Sequence, residues 1–133
     1  MKSFSVVIFL AIAGWIYLEY DERRFLKEHV LKVDAFPKGM RVLDRETWAW
    51  TDYREEYLLS FDPNESNVLL SGRVFGRREV SGSSQEISAG LRKHEPFPLV
   101  SCYYSGDWQS QDGAVEVCFD ASNSKAFVSY TAD

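Results

Sequence analysis

The longest uninterrupted apolar pattern in the chain is Phe4–Leu18, FSVVIFLAIAGWIYL, an uncharged run directly behind Met1 and Lys2. As an α-helix its 15 residues would extend about 22 Å, short of the roughly 30 Å hydrocarbon core of a bilayer and within the range of a signal-peptide hydrophobic region. The chemistry of cleavage points the other way. The small-x-small sites, Ala11-Ile12-Ala13 and Ile12-Ala13-Gly14, fall so early that cutting there would leave an apolar tail at Trp15–Leu18. Trp15, Tyr17 and Tyr20 stand where an interfacial aromatic belt belongs, and with Met1–Ser3 and a thinner bilayer the helix just spans. The expectation is an uncleaved membrane anchor over residues 1–18, with a cleaved and secreted chain as the alternative.

From Glu19 to Val33 the pattern changes to an amphipathic helical stripe of Leu18, Phe25, Leu26, His29, Val30 and Val33, supported by Glu19/Arg23 and Glu28/Lys32 at i,i+4. Pro37 and Gly39 end it. The stripe predicts a helical stalk over residues 19–38 that docks onto the following domain or onto a second copy of the helix, so a helix-mediated oligomer is open. His29 lies on this stripe without a second metal ligand nearby and reads as a packed histidine.

Beyond residue 38 the periodicity is that of strands. Tyr57–Phe61 and Asn67–Phe75 flank Asp62–Ser66, whose Pro and Asx content predicts a hairpin turn, and an earlier strand is expected through Thr47–Trp50. Ser83-Ser84-Gln85-Glu86 has capping-box spacing, and Ile87 with Leu91 supports a short helix ending by Lys93. Leu99–Tyr104, Ala114–Phe119 and Ala126–Tyr130 then predict three consecutive antiparallel strands. The fold class expected is α+β: an anchor helix, an amphipathic stalk, and a single small antiparallel-sheet domain with a short helix over residues 39–133.

Composition sharpens the picture in two places. Aromatic residues make up 15% of the chain, enough large side chains for a compact core. The net charge of −5 is concentrated at one end: residues 1–94 hold 14 basic and 14 acidic side chains, whereas Glu95, Asp107, Asp112, Glu116, Asp120 and Asp133 face Lys125 alone. This argues against nucleic acid or anionic lipid as the partner of the C-terminal third and for a basic protein, with an acidic surface kept for solubility as the alternative.

The two cysteines concern stability. Pairing Leu99–Tyr104 with Ala114–Phe119 puts Cys102 opposite Cys118, and a disulfide there would stabilise the fold by about 3 kcal/mol in the chain-entropy model. Alternation groups Cys118 with Glu116 and Asp120, which predicts a bridge near the surface. It also favours an oxidising compartment outside the cytoplasm, against the count of Arg23, Arg24, Lys27 and Lys32 versus Lys2, which by the positive-inside rule would keep the C-terminal part in the cytoplasm.

Catalytic chemistry finds little support. His29 and His94 lack any motif, no metal-ligand or cofactor pattern is present, and Glu55 and Glu56 should point to opposite faces of a strand. A non-enzyme without cofactor is expected. Asn64-Glu65-Ser66 fits a glycosylation sequon, a pattern short enough to recur by chance. Trp48, Trp50, Tyr53 and Tyr57 read mostly as core. Tyr103, Tyr104 and Trp108 lie beside or within the loop SGDWQSQDG. The candidate contact patch for a basic protein is therefore Asp107, Trp108 and Asp112, supported by Tyr104 and Glu116.

In outline, the apolar helix, amphipathic continuation, sheet and late cysteine pair resemble type IV pilins and pseudopilins. The resemblance stops at architecture, since Phe4–Leu18 has neither an acidic residue nor a Gly-Phe junction. The leading expectation is a membrane-tethered, exported interaction module binding a basic protein, as an inhibitor, immunity factor or assembly accessory would. Its rival is a structural subunit that packs through its N-terminal helix into a larger membrane complex.

Overall fold

A computed structural model describes residues 2–49, 52–79, 97–107 and 109–133, with the side chains of residues 2–5, 16–22 and 78–79 outside that description. Helix α1 runs Lys2–Phe25 and widens at its exit into a π-helical turn, Leu26–Val30. Six strands follow: β1 (Arg41–Ala49), β2 (Tyr53–Ser60), β3 (Gly76–Glu79), β4 (Ser101–Gly106), β5 (Ala114–Phe119) and β6 (Lys125–Ala132). They form a single antiparallel sheet in the order β1-β2-β6-β5-β4-β3. The predicted helix over Ser83–Lys93, together with His94, lies outside the described residues.

The stripe predicted for the stalk is what joins helix to sheet. Leu26, Val30, Leu31 and Val33 are buried against Tyr57 and Leu59 of β2, Val115, Val117 and Phe119 of β5, and Val128 and Tyr130 of β6. These strand residues alternate, so a single sheet face receives the helix, as period-two patterning requires. Phe25 continues the contact, meeting the rings of Tyr53 and Tyr130 edge-on at centroid distances of 6.0 and 5.8 Å. His29, expected to be packed, is exposed and touches only the edge of this cluster, its ring 5.2 Å from that of Phe25. Upstream the helix reverses character: Val7 is 63% and Phe9 72% exposed, as are Leu10, Ile12 and Trp15. Among the described residues no helix is long and apolar enough to cross a membrane.

The segment Asn67–Phe75 is not the second arm of a hairpin. Pro63–Leu70 is a 3-10 helix, started by Asp62, whose carboxylate accepts from the Asn64 N–H at 3.0 Å, and by Pro63 at its first position. Only Leu69 of its apolar residues is fully buried. The helix carries the chain from β2, next to one sheet edge, to β3 at the opposite edge. On the way, Gly72 passes so close to the end of the π-turn that a Cβ would sit 2.2 Å from the Lys32 carbonyl oxygen.

Strand β2 carries two neighbouring glutamates to opposite faces, as expected, and both are fully buried. Glu55 lies beneath the helix, where Arg45 pairs with it at 2.5 Å, the Tyr53 hydroxyl donates to it at 2.5 Å, and the Tyr57 hydroxyl also donates to it. A buried carboxylate is tolerated when charge and lone pairs are met this completely. Burial and the hydrogen bond to Glu55 push the Tyr53 phenol up to about 12, and the same causes raise that of Tyr57 further.

Candidate functional site: the outer face of the sheet

The face turned away from the helix divides into two parts. At one end Cys102 and Cys118 face each other across β4 and β5 and are bridged. The predicted pairing holds, but the bridge is buried, not near the surface: Leu58, Leu99 and Phe127 surround it, with Leu43 and Phe97 packed alongside. The chain returning through Phe97–Leu99 covers this end, which alternation within β5 alone could not reveal.

Among the described residues the other end is open. Register aligns Tyr104, Glu116, Ser129, Glu56 and Glu46 in one row across β4, β5, β6, β2 and β1, and Gly106, Ala114, Thr131, Arg54 and Trp48 in the next. At these rows the two middle strands contribute Ala114, Ser129 and Thr131, which are small, together with Glu116, and the larger Tyr104 and Arg54 stand on either side. The result is a trough of about 290 Å³ lined by Arg54, Tyr104, Ala114, Glu116, Ser129 and Thr131. Arg54 is drawn toward β1: its guanidinium pairs with buried Glu56 at 2.9 Å and lies 5.8 Å from the centroid of the Trp48 ring. Its charge is thereby compensated, which leaves the half-buried Glu116 carboxylate and the Tyr104 ring, 46% exposed, to set the character of the opposite wall.

The residues proposed from the sequence as one contact patch separate in space. Tyr104 and Glu116 line the trough. Asp107 is exposed just beyond β4, where its carboxylate accepts from the Gln109 N–H at 3.0 Å and its carbonyl from the Ser110 N–H at 3.0 Å, closing a turn. Trp108 lies outside the described residues. Asp112 is on the helix side of the loop, where Lys32 pairs with it at 2.5 Å and holds its carboxyl below the usual range, with help from the charge of Arg73. The acidic loop thus meets a basic pair supplied by its own chain.

That pair forms a clasp. Lys32 takes a left-handed backbone conformation, φ 54°, directly after the π-turn. Arg73, pressed close by Gly72, donates from Nε to the Val30 carbonyl at 2.7 Å and from Nη2 to the His29 and Asp112 carbonyls, each at 2.8 Å. One guanidinium therefore caps the helical exit and ties down the β4–β5 loop. Desolvation lowers its pKa while Asp112 opposes the shift.

Among the described residues the geometry does not form a metal centre. Glu116 lies near both cysteine sulfurs, but bridged sulfurs are not thiolates and do not serve as metal ligands. Of the membrane-interface residues named from the sequence, Trp15 is exposed, and the side chains of Tyr17 and Tyr20 lie outside the described set. The chain matches no family model, no curated protein and no solved structure. The functional reading therefore rests on geometry.

Arg54, Ser129 and Thr131 were not singled out by sequence reasoning. The signal available was the alternation Lys125, Phe127, Ser129, Thr131 against Ala126, Val128, Tyr130, which marks Ser129 and Thr131 as facing away from the core.

Proposed function

We propose that the protein is a membrane-tethered interaction module held outside the cytoplasm, which presents the outer face of its sheet to a basic protein. The observation that carries this reading is the division of the N-terminal helix: Leu26 and Val30 are fully buried in the sheet's core, whereas Val6–Leu10 expose large apolar side chains. A helix built this way fixes the orientation of the sheet relative to whatever accepts its apolar end, leaving the trough on the side away from the helix. Phe4–Leu18, with Met1–Ser3, is the tether. The buried disulfide supports an oxidising compartment. Among the described residues of these two rows, Glu56 is paired with Arg54, and the carboxylates of Glu46 and Glu116 are left to favour a positively charged partner.

The same exposed run supports the second reading, a structural subunit whose helix packs against other membrane helices. A photo-crosslinking residue at Thr131, compared with one at Ile8 and a control at Asn123 in the β5–β6 turn, tests both in the native host. A basic protein captured at Thr131 and not at Asn123 supports the module. Capture at Ile8 alone supports the structural subunit and refutes the trough as the partner surface.

A further inference from the structure

We infer that the trough is a receptor for an arginine side chain of the partner, with the guanidinium plane against the Tyr104 ring and its N–H groups on the Glu116 carboxylate. The inference rests on reading this face as the partner surface, and it names the chemistry recognised there. Tyr104 and Glu116 are direct cross-strand partners on adjacent strands, so their Cβ atoms lie about 5 Å apart and both reach one ligand group. An exposed ring face beside a half-buried carboxylate attracts a cation by its quadrupole and by charge together. Ser129 and Thr131 add hydroxyl acceptors along the floor. The set matches a planar group with five donors better than a compact ammonium, which has no plane to stack and only three donors.

Arg54, which also lines the trough, does not occupy this position from within the chain, because Glu56 and Trp48 hold its guanidinium on the β1 side. The walls at Tyr104 and Arg54 stand three strand spacings apart, about 14 Å, wide enough for one extended side chain between them. Apolar ligands are disfavoured by the carboxylate, and anions by the row of glutamates.

The test is an NMR titration of isotope-labelled full-length protein in detergent micelles with acetyl-Gly-Arg-Gly-amide. The lysine peptide and the neutral, near-isosteric citrulline peptide serve as comparisons. The arginine peptide is expected to shift the amide signals of Tyr104, Glu116, Ser129 and Thr131, binding about threefold or more tightly than the lysine peptide through the stacking contribution. The citrulline peptide should not shift them. Glu116→Gln and Tyr104→Ala should each abolish the response while signals from β2 and β6 core residues stay in place. Equal shifts from the citrulline peptide, or arginine-dependent shifts confined to Asp107, Asp120 or Asp133, would overturn the assignment. If Thr131 still crosslinks a basic partner while the arginine peptide perturbs nothing, the arginine assignment falls and the partner surface stands. If peptide binding is seen and no partner is captured, the pocket stands and the protein-partner reading falls.

Discussion

Replacing Arg73 by methionine should loosen the junction between helix and sheet more than any other single change at a half-exposed position. Methionine keeps most of the apolar stem and removes three hydrogen bonds from a charged donor, to the carbonyls of His29, Val30 and Asp112. Such bonds contribute about 1.5–3 kcal/mol each when well shielded. Here the carbonyls near solvent can turn to water, so the lower end applies to the whole group and the expected loss is about 2–3 kcal/mol. For a domain of this size each kcal/mol shifts the melting midpoint by about 4–8 °C, which predicts a drop of roughly 10–20 °C. Urea or thermal unfolding of the full-length protein in detergent, followed by near-ultraviolet circular dichroism of the packed tyrosines, reads it directly. Arg73→Lys should recover less than half of the loss, because a single ammonium cannot reproduce a fork directed at three acceptors. A methionine variant within about 0.5 kcal/mol of the parent protein would show that the clasp contributes nothing and that apolar burial of Leu26 and Val30 alone seats the helix.

Three further outcomes follow from the same structure. Cys102→Ala with Cys118→Ala should cost about 3 kcal/mol in chain entropy, with an added penalty for the space left beside Phe127, and in the native protein the bridge should resist reduction until the fold opens; thiol labelling with and without denaturant checks this. Gly72→Ala should destabilise and free the Pro63–Leu70 segment from the helix end, seen as faster amide exchange at Leu69 and Ser71, because the added methyl meets backbone oxygens at 2.2 and 2.3 Å. Alkaline unfolding should set in between pH 10.0, where an ordinary tyrosine ionises, and about 12, to which folded Tyr53 is raised. The contribution of the neutral phenols is complete below that window and is lost as pH rises through it, and a tyrosinate titration paired with unfolding curves would expose the idea as wrong if stability stayed flat across the interval.

The sheet's C-terminal strands were readable because Val115, Val117 and Phe119, then Ala126, Val128 and Tyr130, fall on every second position and build one continuous apolar face. Pairing Leu99–Tyr104 with Ala114–Phe119 around their short connecting loop sets the register that joins Cys102 to Cys118. The burial of the bridge was not readable, since it depends on Phe97 and Leu99 crossing the outer face from a separate part of the chain. Asn67–Phe75 reads as a strand because Val68, Leu69, Leu70, Val74 and Phe75 resemble one, whereas Asp62 and Pro63 start a helical turn there rather than a simple turn. The pairing of Asp112 with Lys32 spans 80 residues. No local pattern carries such a contact, so an acid that is satisfied within the chain looked free for a partner. Tyr104 and Glu116 were found through their place beside the loop, but Arg54, Ser129 and Thr131 join them only once the register across four strands is known.

The strand order has a consequence for how the molecule is made. β6 is the latest of the six strands along the chain, yet it lies between β2 and β5. During synthesis the β1–β2 hairpin and the strands β3, β4 and β5 are therefore two separate ribbons, each with an unpaired edge, until β6 emerges and inserts between them. The hydrophobic faces of both ribbons and the apolar stripe of the helix wait for that single late event, so the folding nucleus is non-local and its transition should be slow and cooperative. For the same interval the nascent chain carries two sticky edges and an apolar helix at once, which makes it a natural client for a chaperone that binds unfolded chains.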